Sequence, residues 1–438
     1  MSVTTPISTS YAQATLALWH DLTAHYGPRD FALRLWDGTT SGPDAGQPCR
    51  FTVALDHPGA LRQMFWPFRA NVALGEAYVF GDFDVEGDIL AFVGLLRHLL
   101  WHHWPVGDKM RLLKSILALP AEGRPRDERA ARLTGKAHTV ERDRQAVGYH
   151  YDRANDFFAL WLDRRLVYSC AYFRRGDEDI DTAQEQKLDL LCRKLRLKPG
   201  ERLLDIGCGW GGLVRFAAER YGVEAVGITL SRKQGELARE RIRDAGLEGR
   251  VRVEYCDYRE LTDDRGFDKV VSVGMVEHVG AAALPAYFQS AWRLLRPGGV
   301  FLNHGIAISA AVRPPKWRAF GKKYVFPDGE LVPIARLLRE AEAVGFEVRD
   351  VENLREHYAL TLEHWIRRLD ARHANAVAAT DEVTYRIFRL YMAGACHGFR
   401  AGLYRLHQSL LAKPADRRSG LPLTREDWYA ASGGPPGR

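Results

Sequence analysis

One ten-residue segment constrains the fold more than any other part of this 438-residue chain. It reads Leu203-Leu204-Asp205-Ile206-Gly207-Cys208-Gly209-Trp210-Gly211-Gly212 and is followed by a helical pattern at Leu213–Tyr221. Glycine allows positive φ and close approach of the backbone to a ligand, and a helix N-terminus attracts polar ligand groups. The segment therefore predicts a buried strand, a ligand-binding loop and a helix, in that order.

Strand and helix patterns alternate along the rest of this region. Strands are predicted at Arg202–Ile206, Glu224–Ile228, Val251–Tyr255, Lys269–Val273 and Val300–His304, with a helix at Lys233–Asp244. Strands separated by helices imply βαβ units and a parallel sheet. Ligands of such sheets bind at the carboxyl ends of the strands, where the polar residues of this chain are found. The predicted class is α/β.

The length of the chain predicts two domains. Residues 1–120 mix short strand-like runs with the helical spacing of Asp88–Trp104, which indicates a smaller α+β N-terminal domain. Residues 121–144 are rich in Arg, Glu, Gly and Pro and are interpreted as a linker. Residues 145–438 form the predicted catalytic domain.

Composition excludes several classes of protein. No apolar run approaches the roughly 18–20 residues of a membrane span, and no secretory signal is predicted. The six cysteines are scattered, which favours reduced thiols and no metal site. The net charge of +7 is compatible with anionic partners. The basic residues form no long stripe and no NPPY-like or Pro-Cys motif is present, so nucleic acid is not an expected partner.

The glycine spacing alone is also compatible with a dinucleotide site, since Gly207, Gly209 and Gly212 fit that fingerprint. However, the second strand ends in Thr229-Leu230-Ser231, without the acid that usually binds the ribose. Thr229 and Gln234 could supply neutral hydrogen bonds instead. The DxGCGxGG string resembles motif I of class I methyltransferases, which implies S-adenosylmethionine as methyl donor. It also implies a Rossmann-like domain with a mostly parallel seven-stranded sheet and helices on both faces.

Further motifs resemble one family within that class. They are His150-Tyr151-Asp152, Asn155–Phe158, Tyr168–Phe173, Gln186-Lys187, Asp257-Tyr258-Arg259, Gly274–Gly280, His304-Gly305-Ile306, Tyr324–Gly329 and His357–Leu362. Their order over residues 145–410 resembles the cyclopropane-fatty-acyl-phospholipid synthase family. Leu74-Gly75-Glu76-Ala77-Tyr78 also resembles the N-terminal domain of longer bacterial members. The resemblance implies transfer of a methylene group from S-adenosylmethionine to the cis double bond of an unsaturated phospholipid acyl chain.

The resemblance also assigns the site. A bound bicarbonate, acting as general base, would be held by Cys170, Glu277, His304, Ile306 and Tyr358. Cys170 and Ile306 would act through their backbones, His304 and Tyr358 as donors, and Glu277 by raising the basicity of the bicarbonate. Cofactor contacts would come from Tyr168, Ser169, Leu203, Asp205, Gly207, Cys208, Gly209, Trp210, Gly211, Thr229, Ser231, Gln234, Tyr258 and Arg259.

Two segments combine cations with apolar residues and are candidates for contact with an anionic membrane. They are Arg313–Tyr324 and, with a smaller pattern, Lys109–Leu119. We expect a cytoplasmic protein associated peripherally with the inner face of the membrane, and a homodimer is compatible with the family. Three alternatives stay open: a lipid methyltransferase that makes a methyl or methylene branch, a small-molecule amine N-methyltransferase, and a non-catalytic lipid-binding protein.

Overall fold

The computed structural model describes residues 6–65, 72–126, 129–151, 155–311 and 318–429. The chain divides into two compact units. The first comprises residues 1–130, 315–325 and 381–397, and the second comprises residues 131–314, 326–380 and 398–438. No helix among the described residues is long and apolar enough to cross a bilayer.

The first unit is a small α+β fold around a four-stranded sheet of order β2-β1-β3-β4. Its elements up to residue 118 are α1 (Pro6–Thr23), β1 (Phe31–Arg34), β2 (Thr40–Ser41), β3 (Phe51–Leu55), α2 (Ala60–Met64), α3 (Ala73–Val79), β4 (Phe83–Gly87), α4 (Ile89–Trp101) and α5 (Val106–Ala118). Side chains of β3 alternate between buried and half-buried, as expected for a sheet with one face on the core. Asp88 begins α4 by accepting hydrogen bonds from the backbone N–H groups of Leu90 and Ala91.

The second unit is built on a seven-stranded sheet. Its strands are β5 (Arg202–Ile206), β6 (Glu224–Thr229), β7 (Val251–Tyr255), β8 (Phe267–Val273), β9 (Leu295–Ile308), β10 (Glu347–Asn353) and β11 (Tyr404–Ala412). Its helices are α6 (Val140–Tyr151), α7 (Asn155–Ala159), α8 (Ile180–Leu195), α9 (Gly212–Tyr221), α10 (Arg232–Asp244), α11 (Leu284–Leu294), α13 (Ile334–Val344), α14 (Arg355–Asp370), α15 (His373–Ala379) and α17 (Glu426–Tyr429).

The strand order in this sheet is β10-β11-β9-β8-β5-β6-β7. The four pairings from β9 to β7 are parallel, whereas β11 is antiparallel to both β9 and β10. Neighbouring residues of β5 enter opposite cores: Leu203 packs into one hydrophobic cluster and Leu204 into the other. This arrangement confirms the predicted mostly parallel seven-stranded sheet with helices on both faces. The chain order reverses at β5, so the ends of β5, β6 and β8 open into one crevice.

The predicted domain boundaries differ from the compact units. Helix α6 begins at Val140, inside the predicted linker 121–144. Earlier in that segment, the backbone N–H of Arg124 donates to Asp82, and Gln63 donates to the carbonyl of Glu122. The charged, weakly hydrophobic composition of this segment therefore reflects polar contacts with the fold rather than a flexible linker. Residues 315–325 and 381–397, which were assigned to the catalytic domain from the sequence, belong to the first unit. The second of these ranges includes most of α16 (Glu382–Arg400).

The first of the two predicted membrane segments is only partly described, because residues 312–317 lie outside the described ranges. Its remainder contains α12 (Arg318–Tyr324), in which Phe320 and Tyr324 are buried. Lys323 pairs with the buried Glu76 at 2.6 Å. These two aromatic rings are therefore not available to a lipid surface, and contact of the segment with a membrane stays a prediction.

Candidate active site

The glycine loop after β5 forms the floor of a cavity in the second unit. Gly207 has φ of +85°, and a Cβ atom there would lie 3.1 Å from the Met275 side chain. The backbone N–H groups of Gly207 and Cys208 both donate to the Ile228 carbonyl, which fixes the loop against β6. Helix α9 then begins after Gly211 with its N-terminus at the cavity. The loop geometry therefore depends on glycine at position 207.

The cavity contains about 1090 Å³ of empty space, including its open mouth. Aromatic side chains make one wall. The ring of Tyr168 lies 5.7 Å from His150 and 5.3 Å from Trp365. The Trp210 indole N–H donates to Asn155, which holds this ring beside the loop. A flat, apolar wall beside backbone donors suits a ligand with a heterocycle and a polar tail.

Two buried charges face the cavity at the end of β5. Asp205 is 2% exposed, and its Oδ1 has no hydrogen-bond partner among the described residues. Lys187, also buried, donates to the Ser169 hydroxyl at 2.9 Å. Burial raises the pKa of Asp205 to about 7, opposed by the charge of Lys187. Burial lowers the pKa of Lys187 to about 8. An unsatisfied carboxylate oxygen in a cavity is suited to receive a cationic ligand group.

The loop after β6 presents neutral polar groups. The Thr229 hydroxyl donates to Gln234 Oε1 at 3.0 Å, and both residues line the cavity. Ser231 instead accepts from the backbone N–H of Gln234 and begins α10 as its N-cap residue. This capping role explains why a serine occupies position 231 without reaching the cavity.

After β7, Arg259 lines the cavity, but four of its five N–H donors are already used. It binds Asp257 through two nitrogens and Asp143 through one, all at 2.7 Å. A further nitrogen donates to the carbonyl of His138. The guanidinium therefore joins the start of α6 to the end of β7. Its contribution to a ligand is the shape of the wall rather than a free charge.

Glu277 follows β8, and its side chain bonds to the neighbouring strand β9. Its Oε1 accepts a hydrogen bond from the backbone N–H of Ile306 at 2.7 Å, as the carbonyl of a further β8 residue would. Its Oε2 is buried and has no partner among the described residues. Burial raises the pKa of this carboxyl to about 7. A buried carboxylate with one committed and one uncommitted oxygen can serve as an acceptor for a small molecule.

His304 lies two residues before Ile306 on β9. The carbonyl of His304 accepts from Gly274, and its Nδ1 lies 3.2 Å from the amide nitrogen of Gln408. Because that amide nitrogen is a donor, Nδ1 accepts and the proton belongs on Nε2. Nε2 is buried without a partner among the described residues. Burial lowers the pKa of His304 well below its usual value, so it is a neutral donor.

Cys170 and Tyr358 are brought to the same edge by backbone contacts. The Cys170 thiol contacts the carbonyls of Ala171 and Leu354 at 3.1 and 3.9 Å. Leu354 donates to Leu406, which lies opposite Ile306 in the sheet, and Tyr358 follows one turn later on α14. Burial raises the pKa of the Cys170 thiol, which disfavours a nucleophilic thiolate.

Comparisons with known proteins agree with this geometry. The family model for mycolic acid cyclopropane synthetase matches residues 138–409. A probable fatty acid methyltransferase of Pseudomonas putida is 42% identical over 401 residues, 91% of this chain and 95% of the relative. The chain belongs to the cyclopropane-fatty-acyl-phospholipid synthase family.

Two further members of this family are similar over long stretches. The cyclopropane-fatty-acyl-phospholipid synthase of Escherichia coli K12 is 34% identical over 360 residues, 81% of this chain and 86% of the relative. The crystal structure of mycolic acid cyclopropane synthase CmaA1 with SAH and CTAB is 35% identical, with a TM-score of 0.59. It covers 61% of this chain and 97% of its own. This chain is therefore an S-adenosylmethionine-dependent methyltransferase.

The cavity brings together most of the cofactor residues assigned from family resemblance. Those that line it are Tyr168, Ser169, Asp205, Gly207, Cys208, Gly209, Trp210, Thr229, Gln234, Tyr258 and Arg259. Leu203 is in the sheet core, Gly211 packs against Ala238, and Ser231 caps a helix, so none of these three lines it. The five residues assigned to bicarbonate do not line this cavity either. Glu277 is bound to Ile306 at the end of β9, close to His304 in the chain, and Cys170 and Tyr358 are both bonded to Leu354, which in turn donates to Leu406.

Sequence reasoning missed several residues of the site. Asp143 and Val147 line the cavity, and Gln408 orients His304. Lys187 and Met275 also line the cavity; both were noted within motifs but received no role. An apolar context around Lys187 in α8 could have indicated a buried charge, whereas only the pairing of β9 with β11 reveals Gln408. Within the described ranges, no three His, Cys, Asp or Glu side chains are grouped to hold a metal ion.

Proposed function

We propose that the chain transfers a methylene group from S-adenosylmethionine to the cis double bond of an unsaturated phospholipid acyl chain. Asp205 and the donors of the glycine loop would hold the amino-acid part of the cofactor, and the aromatic wall its apolar part. An alkene is a weak nucleophile, so the methyl group must be aimed at it in a site that excludes water. The buried charges and aromatic packing around Tyr168 support such a site.

One observation carries the assignment of the base. Glu277 Oε2 and His304 Nε2 are both buried and unpartnered in the described part of the chain. One is an acceptor and the other a donor, which fits an anion that also carries a hydroxyl group. Bicarbonate would supply a base able to remove a proton from the alkylated chain. Glu277 would accept from its hydroxyl, while His304 and the Tyr358 hydroxyl would donate to its oxygens.

Bicarbonate is also suited to this site by its reactivity. A strong basic side chain beside a carbocation could itself be alkylated, and bulk water would trap the cation. His304 cannot act as that base through Nε2, because Gln408 leaves the proton there. The thiol of Cys170 is protonated by burial. Neither His304 through Nε2 nor Cys170 therefore competes as a nucleophile.

A second product is favoured by one comparison. The Pseudomonas putida relative is described as a probable fatty acid methyltransferase, which does not specify a ring. The same methyl transfer gives a branch if the proton is lost elsewhere on the chain. Loss of a proton from the transferred methyl group closes the ring, whereas loss of a proton from a neighbouring chain carbon leaves a methyl-branched alkene.

Lipid mass spectrometry tests the proposal. The chain is expressed in a bacterial host that lacks this activity, with Glu277→Gln as the matched control. We expect unsaturated phospholipid chains to gain one CH2 with the wild-type chain only, and fragmentation distinguishes ring from branch. Bicarbonate dependence is measured in vitro in degassed buffer, where we expect turnover to recover on addition of bicarbonate. Unchanged lipids in the host would contradict the lipid assignment.

A further inference from the structure

Helix α5 exposes an apolar stripe that the fold does not use. Six large apolar side chains are exposed in the described part of the chain, and three of them lie on this helix. Val106, Met110 and Leu117 are 77%, 64% and 45% exposed. Half-buried Leu113 completes the spacing 106, 110, 113, 117, which places all four on one side of a helix.

The stripe is separate from the face that anchors the helix. Leu112 and Ile116 are buried, and α5 packs against α1 and α2 of the same unit. Burial of these two residues accounts for the attachment of α5 without Met110 or Leu117. Exposed apolar residues grouped in this way mark an interaction surface more often than scattered ones do.

The positive charges beside the apolar stripe indicate what kind of partner α5 binds. Lys109 and Lys114 are exposed and form no ion pair among the described residues. Arg111 is paired with Asp108, the one acid of the helix, at 3.1 Å. The helix thus presents two free cations next to apolar side chains, the composition of helices that lie in the interface of an anionic bilayer.

We propose that α5 docks the enzyme on anionic phospholipid bilayers, with Val106, Met110, Leu113 and Leu117 inserted and Lys109 and Lys114 at the headgroups. The proposal rests on the lipid substrate proposed above and adds the surface through which the enzyme reaches it. A second copy of the chain is the less suitable partner, because a stable dimer interface uses about 20–30 residues per side. Four side chains on one helix fall short of that number.

Vesicle flotation tests the docking surface on the full chain. The vesicles contain phosphatidylglycerol and phosphatidylcholine, or phosphatidylcholine alone. The variants are M110D/L117D for the stripe and K109E/K114E for the charges. Matched controls are L423D, at an isolated side chain that is 98% exposed, and K136E/K198E, at exposed lysines of the second unit. Circular dichroism and thermal unfolding establish that each variant is folded.

We expect M110D/L117D to bind anionic vesicles at least tenfold more weakly, while both controls bind like the wild type. K109E/K114E should lose about fivefold per cation on anionic vesicles and little on neutral ones. Methyl transfer to phospholipid dispersed in detergent should stay at the wild-type level in both variants.

Two results would overturn the proposal. One is unchanged flotation of both α5 variants. The other is sedimentation data in which the wild type is a dimer and M110D/L117D a monomer that still binds vesicles. Failure of the wild type to methylate lipid in either presentation would instead contradict the proposed function, which flotation does not measure.

Discussion

Only one of the two oxygens of Glu277 is hydrogen-bonded among the described residues: Oε1 accepts a 2.7 Å hydrogen bond from the Ile306 backbone, and Oε2 has no partner there. The strand end therefore holds the carboxylate in one orientation and leaves one oxygen for a bound molecule. Since burial raises the pKa of this carboxyl to about 7, its charge changes near neutral pH. The effect of the position of the Glu277 carboxyl and the effect of its charge can therefore be tested separately.

We expect Glu277→Gln to lower kcat by at least about a hundredfold, the usual contribution of a positioned acid–base group. The amide oxygen can still accept from Ile306, so the fold and the affinity for S-adenosylmethionine should change less than twofold. Turnover assays and isothermal titration calorimetry measure the two quantities. An equal loss of turnover and affinity would indicate that Glu277 is needed for folding rather than for proton transfer.

The pH dependence of Glu277 has a defined sign. Ionised Glu277 can accept a hydrogen bond from the hydroxyl group of the proposed bicarbonate. Because the carboxyl ionises near pH 7, kcat should rise with pH through about 7. The folded-state pKa lies above the unfolded value, so the stability contributed by the protonated form is complete below about 4.5 and is lost as pH rises through 7. Glu277→Gln should therefore be more stable than the wild type at pH 8, by up to about 3 kcal/mol. Urea unfolding at pH 5 and pH 8 checks this difference, which should be less than about 1 kcal/mol at pH 5.

Gln408 should act through His304. Its amide donates to Nδ1 and keeps the proton on Nε2, where the proposed anion needs a donor. We expect Gln408→Met to lower kcat by about 10- to 100-fold, as for other partners that orient a functional histidine. Affinity for S-adenosylmethionine should be unchanged, and the ¹⁵N shifts of His304 should show the altered tautomer. Ser409→Ala is the control, because the Ser409 hydroxyl is buried on the same strand and has no partner among the described residues. Identical shifts in Gln408→Met and wild type would exclude this role.

Much of the second unit could be predicted from its sequence, because glycine turns and apolar runs report local structure. Strands β5 and β7 have the predicted bounds, and β6 is one residue longer than predicted. In contrast, β9 extends over Leu295–Ile308 rather than Val300–His304, and β11 was not predicted. These two strands depend on pairing between residues about a hundred positions apart, such as Gln408 with His304. For the same reason, sequence reasoning missed Gln408 while finding the neighbouring His304 by its motif.

Lys187 should control the charge of Asp205. Burial raises the pKa of Asp205 to about 7, and Lys187 opposes that rise. Replacement by methionine should raise the Asp205 pKa further, so less carboxylate is available at pH 7 for the ammonium group of S-adenosylmethionine. We expect about tenfold weaker binding at pH 7, partly restored at pH 8.5. Titration calorimetry at both pH values measures the change.

Two variants distinguish this effect from a loss of structure. Lys187→Arg keeps the positive charge and should preserve the pH profile. Lys269→Met removes another largely buried lysine, which lies near Glu201 rather than the cavity. Weak binding at both pH values in Lys187→Met, without recovery, would argue against charge control.

The stability of the first unit should depend on the buried carboxylate of Glu76. Glu76 accepts from Arg126 at 2.7 Å, Lys323 at 2.6 Å and Tyr324 at 2.9 Å. Burial raises the pKa of Glu76, but the hydrogen bonds of Lys323 and Tyr324 and the nearby charges lower it overall. Its ionised form therefore stabilises the fold above its unfolded pKa of 4.5, and this contribution is lost as pH falls through the lower folded value.

We expect Glu76→Leu to lower the free energy of unfolding of the first unit by about 3 kcal/mol, because it leaves buried donors unpaired. Glu86→Gln breaks the ion pair with Arg34 in the same unit, where both side chains are more than 40% exposed, and should cost less than about 1 kcal/mol. Limited proteolysis with peptide mapping assigns the loss to a unit, because new cleavages should fall within residues 1–130, 315–325 and 381–397. Equal effects of the two substitutions would show that Glu76 contributes no more to stability than a surface ion pair does.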